Sequence, residues 1–402
     1  MPKVKNKMNE IVARRSHDHS PLYVRWCDNS ALSGEYTLPN GMVSVKHGHL
    51  IGGKSEAVEV IHVDTGAIRA LLLPGRGMGI WKLWAGETEF GWSSPVDGPV
   101  HPSLVPVLDP GGLGWLEGFD ELVVRCGLES NGAPEKDDSG ALRYPLHGRI
   151  ANLPARDLRV EVNQETSSVE IIGDILETRL FFHRFRLRSR IGFQAGSTTV
   201  RLTDEVTNEQ ALPKTMQMLY HINVGAPLLS AGSSIAGAFE ILAPKDALSA
   251  GEIDRWHEIG AAQPGYAERV YFAKPLADES GWTSVMLRGP SGSAGFGIRF
   301  DTSTMPYFIL WKNTAAEQDG YVVGLEPATN LPNGRSFETS QGRVVTLQAG
   351  ETRSFRIELH PLLSGEDAQQ FGLQIESLAA GREQTNCQAS KPGWSIGVAG
   401  VE

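Results

Sequence analysis

The sequence has only three cysteines in 402 residues, Cys27, Cys126 and Cys387, far apart and with no C-x-x-C pair. That excludes a disulfide framework and zinc-finger spacing. No apolar run approaches the ~18 residues of a membrane-spanning helix. The N-terminal stretch MPKVKNKMNEIVARRSHDHS is basic but lacks the apolar centre of a secretory signal. Excess positive charge is missing as well: 37 Lys and Arg against 47 Asp and Glu leave a net charge of −10. This argues against a nucleic-acid partner and against a basic helix lying on a membrane. There is no P-loop, serine nucleophile elbow or H-E-x-x-H, and no repeat of fixed period, which sets propellers and solenoids aside. The expectation is a soluble, cytoplasmic protein.

What is plentiful is glycine, 45 of 402 residues, against a usual share of ~7%. Many tight turns or bulges follow, and these favour β architecture. Hydrophobic residues at 41% and charged residues at 21% exclude disorder for most of the chain. Apolar and polar residues alternate over 180–188, where Phe181, His183, Phe185 and Leu187 share a side. They alternate again over 199–208, with Val200, Leu202 and Val206, and over 355–360, with Phe355, Ile357 and Leu359. Period two marks half-buried strands. Helix candidates are few: one near 113–124 and one over 365–379 behind Ser364 in an N-cap-like position. The expected class is all-β, one large sandwich over 40–362. An N-terminal arm and lead-in precede it over 1–39, its first twenty residues a polar arm or short helix. A C-terminal helix and tail follow over 363–402.

Four segments carry candidate chemistry. In Met218–Gly225, His221 and Asn223 are two apart, so on a strand they share a face. Such an imidazole donates a proton to a substrate oxygen, or is a structural histidine bonded to backbone. In Gly324-Leu325-Glu326-Pro327, a carboxylate follows an apolar strand, just before a proline that ends regular pairing. Apolar surroundings would raise its pKa toward that of a general base; the alternative is a loop-tethering glutamate. Lys312, fourteen residues earlier, is close enough in a strand–turn–strand to lower that pKa. His147-Gly148 allows close approach of a ligand, or is turn chemistry. Arg76 lies among alternate glycines in Pro74-Gly75-Arg76-Gly77-Met78-Gly79, which is not the dinucleotide fingerprint; its fork suits hydroxyls or a carboxylate, or it is a solvated arginine in a turn. Trp81, Trp84, Trp92, Trp115 and Trp311 lie near these segments; flat aromatic faces suit sugar rings, although for any one tryptophan a place in the core is the commoner role. His47 and His49 share a strand face, which leaves a metal pair open.

Taken in order, Arg76, His147-Gly148, His221-x-Asn223-x-Gly225 and Gly324-x-Glu326-Pro327 resemble the landmarks of the galactose mutarotase-like superfamily, more narrowly its aldose 1-epimerase-like bacterial branch, over roughly 40–362. The resemblance implies a large antiparallel β-supersandwich with a sugar in an open cleft on one sheet. It implies Glu326 as the base on the anomeric hydroxyl and His221 as the acid on the ring oxygen. His147 and Arg76 would bind substrate, with Asn223 and Lys312 beside them, and no cofactor or metal is implied. The partner would be a small carbohydrate. Two features depart from the pattern. Ile222-Asn223-Val224-Gly225 replaces a Tyr-Phe-Asn-type sequence, and Asp246, Asp254 and Glu268 are all candidates for the substrate-binding aspartate. The expected activity is aldose 1-epimerase (mutarotase, an isomerase). The alternatives are a lyase or isomerase on an oxidised sugar, with a metal on His47, His49, His147 or His221, or a carbohydrate-binding protein without catalysis. With an acid and a base in one site, the pH profile is expected to be a bell, its acidic limb from Glu326 and its basic limb from His221.

Overall fold

The structure is a computed structural model describing residues 10–290, 292 and 294–396. Strands dominate, in two large sheets. One has sixteen strands and the other eight. The larger starts at Glu10–Arg14 and passes through Pro21–Trp26, Gly41–Ile51, Glu59–Asp64, Ile68–Leu73 and Gly79–Ala85. Five strands that carry the site come next: β1 (Val123–Leu128), β2 (Lys214–Gly225), β3 (Arg269–Pro275), β4 (Tyr307–Asn313) and β5 (Val322–Ala328). Their order in the sheet is β1-β2-β5-β4-β3, every neighbour antiparallel. Phe239–Pro244 and Thr385–Asn386 close that edge.

The alternating segments of the sequence build the second sheet. Its central strands include His183–Gln194, Val200–Asn208 and Thr352–Leu362. Phe185, Leu187, Val200, Leu202, Val206, Phe355, Ile357 and Leu359 turn inward and join Tyr220, Ile222, Val224, Leu310, Val323 and Leu325 of the large sheet in one buried cluster. Within this apolar layer, Arg125 of β1 reaches Asp204 of the second sheet with two hydrogen bonds, 2.5 and 3.0 Å, and Tyr220 Oη donates to the same carboxylate at 2.8 Å. The charge is thus paired and bonded where solvent is excluded.

The site strands are covered on their outer face too. There Trp115, Phe119, Val124, Leu219, Val270, Phe272, Ile309 and Trp394 form a second cluster. That is why β2, KTMQMLYHINVG, is buried over its last ten residues instead of alternating. Parity still sorts the side chains: Tyr220, Ile222 and Val224 face the inner core, and Leu219 and His221 face outward.

Several expectations are corrected. The lead-in is not an arm or helix from residue 10 on: Glu10–Arg14, Pro21–Trp26 and Gly34–Leu38 are strands of the large sheet, with Leu22, Val24 and Leu38 buried. Residues 1–9 lie outside the described residues. The region 113–124 is a short 3-10 turn, Gly114–Gly118, followed by β1, because Trp115 and Phe119 are drawn onto the sheet. Phe181 is 89% exposed, since 180–182 form the tip of a hairpin and not its strand. Pro327 lies inside β5; it breaks only the ladder to β2, which pairs Leu219 with Ala328 and resumes at Ile222 with Leu325. Helix α1, Gly365–Ala379, forms as expected behind a Ser364–Asp367 capping box. The segment expected as tail contributes Thr385–Asn386 to the sheet and Trp394 to the outer cluster, with 397–402 outside the described residues.

Candidate active site

On the outer face of the large sheet, His221 of β2 and Glu326 of β5 stand opposite each other across the gap that Pro327 leaves in the ladder. His221 Nε2 is 3.1 Å from Glu326 Oε1. Gly324, two residues before the glutamate on the same face, makes the room: a Cβ there would stand 2.5 Å from Glu326 Oε1 and 3.0 Å from His221 Cε1. The G-x-E spacing is therefore steric as well as chemical.

Asn223 sets the tautomer of His221. Its amide nitrogen donates to the carbonyl oxygens of Glu121 and His221, 2.9 and 3.3 Å, which turns its Oδ1 toward the ring. That oxygen accepts from His221 Nδ1–H at 2.6 Å. Nε2, facing Glu326, is then the nitrogen whose protonation varies.

His147 enters from the loop after the Leu142–Tyr144 strand, held at φ 56° and followed by Gly148 at φ 73°. Only glycine fits at 148, where a Cβ would lie 2.1 Å from Ser130 O. His147 Nδ1 donates to Asn131 O at 3.0 Å. Asn131 and Asn330 exchange a reciprocal amide pair, 2.9 and 3.0 Å, so the loop beside His147 is fastened to the chain leaving β5. The His147 ring packs 4.5 Å from Trp115 and 5.6 Å from His221, and His221 also lies 4.9 Å from Phe119 and 5.3 Å from Trp311.

These groups line one cavity of about 300 Å³, at the small end of small-molecule sites, ~300–1,000 Å³. Its walls include Leu113, Trp115, Leu116, Phe119, Ile309 and Trp311, and its ionisable groups are His147, His221, Lys245, Glu268 and Glu326. Burial dominates the electrostatics. It lifts Glu326 well above the ordinary carboxylate value, with Glu268 reinforcing and Lys245 opposing. It holds His221 well below the ordinary imidazole value. It takes His147 down to about 4 against the hydrogen bond to Asn131. Burial thus favours the neutral acid beside the neutral imidazole, and Glu326 Oε1 is buried without a hydrogen bond.

Of the residues singled out in the sequence, His147, His221 and Glu326 come together here, with Trp115 and Trp311 as walls. Three do not line the cavity. Arg76 is 2% exposed and its guanidinium is taken up by Glu121, Val100 O, Asn152 and Gly118 O, so it ties these segments together and has no fork to offer a ligand. Asn223 is fully buried and bonded to protein on both sides of its amide, so it orients His221 and touches no ligand. Lys312 points to the opposite side, because it is one residue out of phase with Ile309 and Trp311; its ammonium faces Arg255 O and its pKa is lowered to about 8 by burial. Among the three carboxylates left open, Glu268 reaches the cavity and accepts from Trp311 Nε1 at 2.7 Å, whereas Asp246 caps a short helix and Asp254 meets Gln388. Lys245, which carried no sequence signal, lines the cavity from the end of the Phe239–Pro244 strand. Among the described residues no group of three or more His, Cys, Asp or Glu is placed to hold a metal; His47 is engaged by Ser30 and Glu59.

The family model described as "Domain of unknown function (DUF4432)" matches residues 55–360. No curated protein matches the sequence. Among solved structures, a "putative aldose 1-epimerase" from Klebsiella pneumoniae is 27% identical with a TM-score of 0.85, covering 92% of this chain and 100% of its own. A galactose mutarotase-like protein from Clostridium acetobutylicum is 16% identical with a TM-score of 0.56, covering 79% of this chain and 98% of its own. The fold is thus the galactose mutarotase-like β-sandwich.

Proposed function

Because the chain belongs to the DUF4432 family and has the galactose mutarotase-like fold, we propose that it is a sugar mutarotase, opening and reclosing a sugar ring by acid–base chemistry at Glu326 and His221. The fold alone does not name a reaction. What carries the reading is the His221–Glu326 contact of 3.1 Å inside an aromatic-walled cavity.

In the proposed reaction, the resting proton first crosses from Glu326 to His221 Nε2, giving a carboxylate and an imidazolium with no exchange with solvent. Glu326 then accepts the proton of the anomeric hydroxyl. The bond from the anomeric carbon to the ring oxygen breaks, and His221 Nε2 protonates that oxygen. Rotation of the aldehyde and reversal of both transfers gives the other anomer, and the pair ends as it began. Asn223 holds the imidazole in the useful tautomer, and Trp115, Phe119 and Trp311 exclude water and stack on the sugar's C–H face. His147 offers its free Nε2 as the acceptor for a neighbouring hydroxyl.

The test is anomer exchange by NMR over a panel of aldoses and acidic sugars. Exchange by the intact protein, lowered about 10²–10⁴-fold in Glu326→Gln and in His221→Asn, supports the proposal. Binding without exchange across the panel would favour a carbohydrate-binding role instead.

A further inference from the structure

Ten of the fifteen residues lining the cavity are apolar or aromatic, and only five are ionisable. Four of those five already have a neighbour. His147 Nδ1 is bonded to Asn131 O, and His221 Nδ1 to Asn223. Glu326 faces His221, and Glu268 accepts from Trp311. Lys245 differs. Its backbone is pinned on both sides, its N–H donating to Val270 O at 2.9 Å and its carbonyl accepting from Ser390 Oγ at 3.0 Å. Its ammonium makes no hydrogen bond or ion pair with any described residue, although the side chain is half-buried in the cavity wall. Its charge nevertheless acts on the reacting groups, opposing the rise of Glu326 and deepening the fall of His147.

A partly desolvated cation without an ion-pair partner is a binding element for an anion. The wall composition points the same way. A neutral polyhydroxylated ring needs a partner for each hydroxyl, and the lining offers few. Arg76, Asn223 and Lys312, the polar groups that sequence placed here, are all turned away. We propose that the preferred substrate carries one carboxylate, and that Lys245 is the residue that selects it. A single carboxylate fits better than a phosphate: Glu268 lies on the same wall, so a dianion would meet a like charge, whereas a uronate pairs with Lys245 and lends a hydroxyl to Glu268. This inference rests on the sugar-site reading above and is tested so that the two can fail separately.

The probes are galactose and galacturonate, glucose and glucuronate, and galactose 6-phosphate, used with the full chain. The expected result is a kcat/KM for anomer exchange at least about tenfold higher for a uronate than for its neutral parent, and a loss of about 10–100-fold in that ratio in Lys245→Met. Lys245→Arg should keep most of the preference. Equal rates for both members of each pair, a ratio unchanged in Lys245→Met, or preference for the phosphate would overturn the inference while leaving the mutarotase reading intact. If no sugar is interconverted, equilibrium binding by ligand-observed NMR decides. Uronate binding that needs Lys245 and weakens with added salt upholds the carboxylate site without the mutarotase; uronate binding no tighter than that of the neutral parent overturns it. Should Lys245→Met fail to fold, the salt dependence of uronate binding to the intact protein decides in its place: weakening with salt upholds the site, and indifference to salt overturns it.

Discussion

At the scale of single residues, burial favours for the two groups of the proposed reaction the protonation states opposite to those that reaction asks of them. Glu326 is raised well above the ordinary carboxylate value and His221 lowered well below the ordinary imidazole value, so the one-proton pair is the form that persists between them. Acid must add a second proton to His221, and alkali must remove the one on Glu326. The acidic limb of the kcat/KM profile therefore belongs to protonation of His221 and the basic limb to deprotonation of Glu326, the reverse of the assignment expected from unburied groups. Any activity remaining in Glu326→Gln needs His221 already protonated, so it should fall as pH rises through the region of the intact protein's acidic limb; a fall at the intact protein's basic limb instead would break this assignment. Gly324 offers a second test. In Gly324→Ala the new Cβ must displace Glu326 Oε1, 2.5 Å away. Exchange should fall at least about tenfold, because misplaced proton-transfer groups lose near-attack geometry, with the far-ultraviolet circular dichroism unchanged. Full activity in that variant would show that the contact is not needed.

At the scale of elements, the strands of the second sheet were legible because one face is wet and one is dry, as at Val200, Leu202 and Val206. Helix α1 was legible through its cap. Ser364 accepts from Asp367 N at 3.1 Å, and the helix packs Ala368, Phe371 and Ile375 onto Met286 and Leu362. Ser364→Ala should cost about 1 kcal/mol of stability, read as a lower denaturant midpoint at unchanged slope; no change would mean that α1 frays independently of the sandwich. The site strands were harder to read, because burial on both faces erases the alternation that sorts inside from outside. Lys312 was misplaced for that reason: which face it occupies depends on a register that no local pattern in 307–313 reveals, whereas Arg76 sits in a turn whose partners, Glu121 and Asn152, are distant in sequence. The pairing of His221 with Glu326 was legible only through the resemblance of their motifs to the galactose mutarotase-like landmarks. Lys245 and the loop contact through Asn131 and Asn330 join segments distant in sequence, and only the folded chain shows them.

At the scale of the whole molecule, a sheet covered on both faces places ionisable groups where water cannot reach them. Arg125 and Asp204 are matched between the sheets, but Asp120 is not fully matched: it accepts from Trp81 Nε1 at 2.8 Å and leaves Oδ1 buried without a partner. Burial, eased by the charge of Lys82, raises it to about 7 from an ordinary 3.8. A raised folded-state value contributes stability that is fully present below the unfolded value and lost as pH rises through about 7. Asp120→Asn keeps the acceptor for Trp81 and removes that loss. Its melting temperature relative to the intact protein should therefore climb between about pH 5 and about pH 8, and a difference independent of pH would refute the buried-acid account. The same exclusion of water suits the cavity to the proposed reaction, in which one proton on two side chains serves both ends of a ring opening. The most direct measurement is two-dimensional exchange NMR of anomers on the best substrate of the panel, with the intact protein and with Glu326→Gln at equal concentration. The account predicts exchange cross-peaks with the first and a rate lower by about 10²–10⁴-fold with the second, while the sugar still binds. Equal exchange by the two proteins would contradict it.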